Sequence, residues 1–232
     1  TQLEEMNKLS AVENLAGTSA GAITACLVAL NYKASEIYDI VINMDFSKFE
    51  DGWDPLRIPF SYGLYKGNAF LNWIKDKISK QGFDENITFK ELIEKGGKNL
   101  NVFATDLNIK NIRRFSAKST PDTIVAEAVR ASMSIPLFFK AWKFSNKLPN
   151  NHVYVDGGVM FNYPVQYFDI NGTLSDETLG LFLNTPANHA PNDLDYDHLG
   201  KYVEYLFETL LKAQVIQFNA DKQDQLRSVI ID

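Results

Sequence analysis

The chain has 232 residues and a formal net charge of −6, with 45% hydrophobic and 22% charged residues. This is close to the soluble globular average, is long enough for one domain with a buried core, and is too acidic for a general nucleic-acid binder. One Cys excludes an internal disulfide framework and a Cys-built zinc site, and the only histidines, His152, His189 and His198, disfavour any mechanism needing several.

From Thr1 to Ser10, Leu3, Met6 and Leu9 are spaced three apart, as in the last turns of an amphipathic helix. No basic region followed by an apolar core stands there, so the segment does not read as a signal peptide. Val12 to Ala16 reads as a short strand. Ala20 to Leu30 reads as a helix apolar nearly all round, hence buried, and is too short to span a bilayer. These readings favour a cytoplasmic or membrane-peripheral setting. Asn31 suits a C-terminal helix stop. Ser35 to Met44 predicts a second helix, Trp53 to Gly67 a structured loop, and Ala69 to Ser79 another helix. Thr88 with Glu91 forms a capping box for a short helix through Glu94. Leu100 to Thr105 and Asn111 to Ser116 read as paired strands. Thr120-Pro121 reads as a cap and first turn for a helix over Ile124 to Met133. Val153 to Val155 and Thr178 to Leu183 are strand-like. Leu199, Val203, Leu206, Leu210 and Ala213 mark one face of a long helix, and Ser228 to Ile231 a last strand. Strand-like and helix-like stretches alternate without repeats or linkers, which points to a layered α/β fold.

Gly17-Thr18-Ser19-Ala20-Gly21 fits Gly-x-Ser-x-Gly between a strand and a buried helix, the context that a nucleophile elbow requires. Small neighbours let the turn close, and the Ser19 hydroxyl would project at the positive end of the helix. The Ala20 N–H points the same way and can donate to an oxyanion. A phosphate-binding loop would need a Lys and longer spacing. A Ser nucleophile needs a proton acceptor. His152 is one candidate. Asp156, at a strand end before Gly157-Gly158, is the other, unless it only closes its own turn.

The set of motifs resembles the patatin-like phospholipases. Gly17 to Gly21 is similar to that family's nucleophile motif, and Ala22-Ile23-Thr24-Ala25 to its buried helix. Ala131-Ser132-Met133-Ser134-Ile135-Pro136 with Phe138 is similar to its Ala-Ser…Pro segment. Asp156-Gly157-Gly158 with Asn162-Tyr163-Pro164 is similar to its Asp-Gly-Gly/Ala motif and the Asn-x-Pro after it. Phe103 to Leu107 and Tyr62 to Gly67 add to the likeness, which runs over nearly the whole chain. The resemblance implies a three-layer α/β/α fold with a central, mostly parallel sheet, related to the α/β hydrolases. It implies a single domain over residues 1–232 and a lipid acyl hydrolase of the phospholipase A type. Ser19 would be the nucleophile and Asp156 would take its proton directly, with no cofactor or metal. Phospholipid or another lipid ester would be the substrate, met at a membrane surface, with no nucleic acid involved.

The family places a first strand and a Gly-rich basic loop upstream of the nucleophile, and that loop supplies most of the oxyanion hole. Only 18 residues precede Ser19 here, with no Gly among the first sixteen. The expectation is therefore a domain trimmed at both ends, whose 232 residues alone are a poor catalyst. Alternatives are an inactive lipid-binding relative on the same fold, or a Ser–His–Asp esterase using His152. Asp193, Asp195, Asp197 and Glu204 occupy calcium-loop positions, but His198 stands where that loop needs Gly, so an acidic helix start explains them better. Lys110, Arg113, Arg114 and Lys118 could meet anionic headgroups but read first as a solvated strand pair. Trp53, Phe60, Tyr62, Tyr65, Phe70 and Trp73 could form an interfacial lid but read first as packing under a loop.

Overall fold

The computed structural model describes residues 2–52, 62–169, 175–183 and 221–231, with Thr173 and scattered positions between 201 and 219. The elements, in chain order, are α1 (Gln2–Glu5), β1 (Asn14–Thr18), α2 (Ala20–Ala29), α3 (Ala34–Ile42), β2 (Gly63–Tyr65), α4 (Asn68–Lys80) and α5 (Phe89–Glu94). They continue with β3 (Asn99–Asp106), β4 (Asn111–Phe115), α6 (Val125–Ser132), β5 (Leu137–Phe139), β6 (Tyr154–Asp156), β7 (Gly180–Leu183), α7 (Lys222–Leu226) and β8 (Ser228–Ile231). Short 3₁₀ turns cover Phe46–Phe49, Gly157–Val159 and Pro164–Phe168.

Local chemistry explains several of these boundaries. Asn31 takes φ 65°, the left-handed conformation that ends a helix, one residue past the Leu30 cap of α2. The Thr88 hydroxyl accepts the Glu91 N–H at 3.3 Å while the Glu91 carboxylate accepts the Thr88 N–H at 2.9 Å, so the capping box of α5 is closed in both directions. The Thr120-Pro121 cap expected for α6 is not used: that helix starts after Ile124, and the Thr120 hydroxyl accepts the Ser116 N–H in the preceding turn. The α4 N-terminus is capped from a distance. One Asp51 carboxylate takes the N–H groups of Gly67, Asn68 and Ala69 at 2.5, 2.9 and 3.1 Å.

The sheet is organised on β3. β1 pairs with it in parallel from Asn14↔Asn99 to Thr18↔Phe103. β4 pairs antiparallel over Val102 to Asp106, and β6 antiparallel over Ala104 to Asp106. A strand has two edges, and β4 overlaps both β1 and β6, so β1 and β6 share the opposite edge, end to end. The expectation of a mostly parallel sheet becomes a mixed four-stranded sheet, because the strand following β3 returns as a hairpin and β6 enters from the far end. Parallel pairs β2–β5 and β7–β8 stand apart from it.

Alternation along β3 sends Leu100, Val102 and Ala104 into the main core with α2, α4, α5 and α6. Phe103 faces the other way, edge-on to Phe161 and Tyr167, with ring centroids 5.5 and 5.3 Å away. The sheet therefore carries helical segments on both faces, as a layered α/β fold should. α2 buries Ala22, Ile23, Ala25, Cys26, Leu27 and Ala29, which is why its sequence is apolar nearly all round. Cys26 is enclosed there and burial pushes its thiol up to about 12, which leaves it inert.

Arg130, fully buried on α6, joins three segments. It donates to the carbonyls of Gly67 at 2.9 Å, Lys66 at 3.0 Å and Lys140 at 3.1 Å, and to the Ser134 hydroxyl at 2.7 Å. Its guanidinium lies 5.0 Å from the Phe139 ring centroid and 5.3 Å from that of Trp142. Burial lowers its pKa to about 10, so it stays charged at neutral pH. Replacing Arg130 by Leu would remove the donor to the Lys66 and Lys140 carbonyls and to the Ser134 hydroxyl, while the Gly67 carbonyl would keep only the Leu71 N–H at 3.2 Å. It should lower unfolding free energy by about 2–4 kcal/mol, read from urea midpoints, and Lys, with one point charge and no fork, should not restore it.

Candidate active site

The shared edge of β3 decides what meets at the site. β1 runs parallel to β3 and ends opposite Phe103, and β6 runs antiparallel and ends opposite Ala104. The C-terminal ends of the two strands therefore converge. Ser19 follows the first and Asp156 closes the second, 137 positions apart in sequence. The Ser19 hydroxyl donates to the Asp156 Oδ2 at 2.7 Å.

Ser19 sits in a sharp strand-to-helix turn at φ 52° and ψ −125°, a sparsely populated region for any residue with a side chain. The turn closes because Gly17 has none: a Cβ there would stand 2.3 Å from the Gly21 carbonyl oxygen and 2.7 Å from the Ala22 nitrogen. Gly21 itself faces open space, so the room it leaves serves no packing partner among the described residues. Ser19 is half-buried, and Ala20 and Gly21 are exposed, so the start of α2 lies at an accessible surface.

Asp156 has no exposed surface. Its Oδ1 accepts the Gly158 N–H at 2.7 Å, its backbone N–H donates to the Ser134 carbonyl at 2.8 Å, and its carbonyl accepts the Thr105 hydroxyl at 2.9 Å. Gly157 is pressed against β3, where a Cβ would lie 2.4 Å from the Phe103 carbonyl oxygen. Burial pushes the Asp156 carboxyl up to about 7, although the hydrogen bonds from Ser19 and Gly158 pull the other way. A carboxylate that binds its proton near neutrality is a far better proton acceptor than an ordinary Asp.

The other predicted residues lie elsewhere. His152 is taken by a different carboxylate: its Nδ1 stands 2.7 Å from Oδ2 of buried Asp106. Asp106 also accepts the Asn108 N–H at 3.0 Å, so this pair belongs to the turn after β3. Arg114, from the basic stretch, lies over the Tyr167 ring at 4.8 Å. Of the lid aromatics, Phe70 stacks on Trp73 at 5.9 Å and Tyr65 packs on Phe138 at 4.9 Å, while Tyr62 is exposed. Trp53 and Phe60, His189 and His198, Asp193, Asp195, Asp197 and Glu204, and much of the long helix expected from Leu199 to Ala213, lie outside the described residues. Among the described residues no group of three or more His, Cys, Asp or Glu is placed to hold a metal ion, and no helix is long and apolar enough to cross a membrane. In the sequence Ser132 and Ser134 stand out only as parts of a motif, and Arg130 does not stand out at all. The available signal is a charged pair, Glu127 and Arg130, in an otherwise small and apolar helix, and only the fold shows what Arg130 ties together.

Comparison with known proteins agrees with this architecture. A profile of the Patatin-like phospholipase family matches residues 4–169. An uncharacterized protein of Acanthamoeba polyphaga mimivirus, R571, is 30% identical over 184 residues, covering 78% of this chain and 57% of that protein. The probable lipid hydrolase 463L of Invertebrate iridescent virus 6 is 28% identical over 164 residues, covering 68% and 53%. The chain thus spans little more than half the length of these relatives. The crystal structure of VipD from Legionella pneumophila superposes with a TM-score of 0.56 at 18% identity, over 82% of this chain and 47% of that one, a likeness of fold. The chain belongs to the patatin-like phospholipase family.

Asp156 carries a testable signature in stability. The folded chain holds this proton more tightly than the unfolded one, so ionisation costs stability as pH rises from 3.8 through about 7. Asp156→Asn keeps the shape and removes the charge. It should raise the melting temperature at pH 8, by a gain on the order of 2–4 kcal/mol, with the gain shrinking as pH falls and vanishing only at pH 3.8 and below. Equal calorimetric shifts at pH 8 and at pH 3.8 would show that the buried charge is not the cause.

Proposed function

We propose that this patatin-like chain carries the chemistry of a serine acyl hydrolase of lipid esters, with Ser19 as nucleophile and Asp156 as the base that takes its proton directly. The contact that supports this reading is the 2.7 Å hydrogen bond from the Ser19 hydroxyl to the Asp156 carboxylate. Family membership and a relative named as a probable lipid hydrolase point to the same substrate class.

Ser19 Oγ adds to the ester carbonyl as its proton passes to Asp156 Oδ2. The carbonyl oxygen becomes an oxyanion beside the first turn of α2. In this reading the Ala20 N–H, at the first turn of the helix and so without a partner inside it, donates to the oxyanion, and a well-aimed donor there contributes roughly 3–4 kcal/mol. Collapse of the tetrahedral species expels the alcohol, which takes the proton back from Asp156. Water then attacks the acyl-Ser19 ester as Asp156 accepts its proton, and collapse of this second tetrahedral species breaks the bond to Ser19 Oγ, which takes the proton back from Asp156 as the fatty acid leaves. The His152 alternative is disfavoured because the Ser19 hydroxyl donates to the Asp156 carboxylate rather than to an imidazole; the Asp106–His152 pair alone would not exclude it, since a triad also needs a carboxylate on that ring. The exposed apolar side chains of Val41, Ile42 and Phe46, at and just beyond the end of α3, offer a surface for transient contact with lipid.

Ser19→Ala should abolish hydrolysis of a phospholipid or lipid ester, by at least about a thousandfold in kcat, and abolish fluorophosphonate labelling. Asp156→Asn should come close to that loss. If His152→Ala, still folded, were as damaging as Ser19→Ala, the direct dyad would be wrong. The base must be ionised to act, so kcat/KM should rise with pH to a plateau, with its midpoint near the Asp156 value of about 7. A flat profile between pH 5 and 8 would contradict Asp156 as base.

A further inference from the structure

We infer that Ser132 is a positioning residue for the nucleophile, an assignment that rests on the hydrolase reading above. Ser132 is the last residue of α6 and is fully buried. Its hydroxyl oxygen accepts the backbone N–H of Ser19 at 2.9 Å and donates to the Phe103 carbonyl at 2.6 Å. One hydroxyl thus uses its donor and one acceptor position to join the elbow, the end of α6 and the middle of β3. These groups are distant in the chain, 113 positions for Ser19 and 29 for Phe103.

The place where it acts is informative. Phe103 is opposite Thr18 in the β1 register, and its neighbour Ala104 is opposite Asp156 in the β6 register. Ser132 therefore fastens the elbow to β3 at the point where the two strand ends meet. The bond to the Ser19 N–H fixes the peptide plane entering the strained φ 52°, ψ −125° conformation, which carries the hydroxyl to Asp156. It also occupies the Ser19 N–H, which is then not available to a bound substrate. The next residue works on the other side of the same serine: Met133 Sδ lies 3.5 Å from Ser19 Oγ. Ser132 holds the backbone of the nucleophile and Met133 flanks its hydroxyl, so this short segment sets the rotamer from two directions. In the apolar end of α6, between Ala131 and Met133, a hydroxyl has these two partners as its polar role.

The test compares wild type, Ser132→Ala and Ser132→Cys in the full chain, with a fluorophosphonate as the active-site probe. Ser132→Ala should lower kcat by about tenfold to hundredfold with KM within about twofold of wild type. The labelling rate should fall in parallel, while exhaustive labelling still reaches one probe per folded chain. The pH midpoint should not move, because Ser132 does not touch the Asp156 carboxylate. Ser132→Cys, close in size but a weaker hydrogen-bonding group, should fall between the two. Wild-type labelling rates in both variants would overturn the assignment. So would a loss of labelled fraction that follows loss of folded protein at unchanged rate per folded chain. Wild type that labels no faster than Ser19→Ala would overturn the hydrolase reading itself, and the assignment with it.

Discussion

β3 offers one edge to two strands, and a row of backbone donors and acceptors can be used only once. β1 takes that edge as far as Phe103 and β6 takes it from Ala104 onward, so the two strands abut and cannot overlap. Because one runs parallel to β3 and the other antiparallel, their C-terminal ends point at each other. The distance between Ser19 and Asp156 is thus set by the repeat of a hydrogen-bonded ladder rather than by flexible side chains. β4 on the opposite edge, and the helices against the Leu100, Val102 and Ala104 face, hold β3 rigid enough for this to matter.

Such a junction concentrates costs. A strained serine backbone costs on the order of 1–3 kcal/mol, and a carboxylate without solvent contact resists ionisation. The surroundings answer each cost with a specific contact. Gly17 lets the elbow close, Ser132 occupies its N–H, and Gly158 donates to the carboxylate. Ser134 links this inner layer to an outer one: its carbonyl receives the Asp156 N–H while its hydroxyl receives Arg130. Arg130 in turn ties down the loop carbonyls of Lys66 and Gly67. Burial outweighs the hydrogen bonds to the Asp156 carboxylate and keeps its pKa at about 7, where a more fully satisfied carboxylate would lie lower and be a weaker base.

Much of this was legible in the residues, where local rules act alone. The capping box at Thr88, the stop at Asn31 and the tight strand-to-helix turn at Gly17–Gly21 are short-range patterns, and the chain follows them. The Thr120-Pro121 cap failed because a competing local bond to the Ser116 N–H claimed the Thr120 hydroxyl, and α6 then began later. The mixed sheet was not legible, because register and strand direction depend on which edge is free, a property no single segment carries. The same holds for Ser132, Ser134 and Arg130. Their partners lie on segments remote in sequence, so their residue types alone say little. His152 shows the converse: a residue type suited to acid–base work, it pairs with Asp106 at the end of β3 rather than with Ser19.

The shared edge also has a kinetic meaning. The β3–β4 hairpin closes over a four-residue turn, Leu107 to Lys110, and can form early from local contacts. The Ser19–Asp156 contact instead closes a loop of 137 positions, and needs β1 and β6 both docked on the one edge. Long closures are entropically late, so the pairing at the site arises only when the global topology is complete. A nascent or partly unfolded chain would hold a serine with no carboxylate beside it, and reactivity at Ser19 becomes a report on the finished fold rather than on any one segment of it.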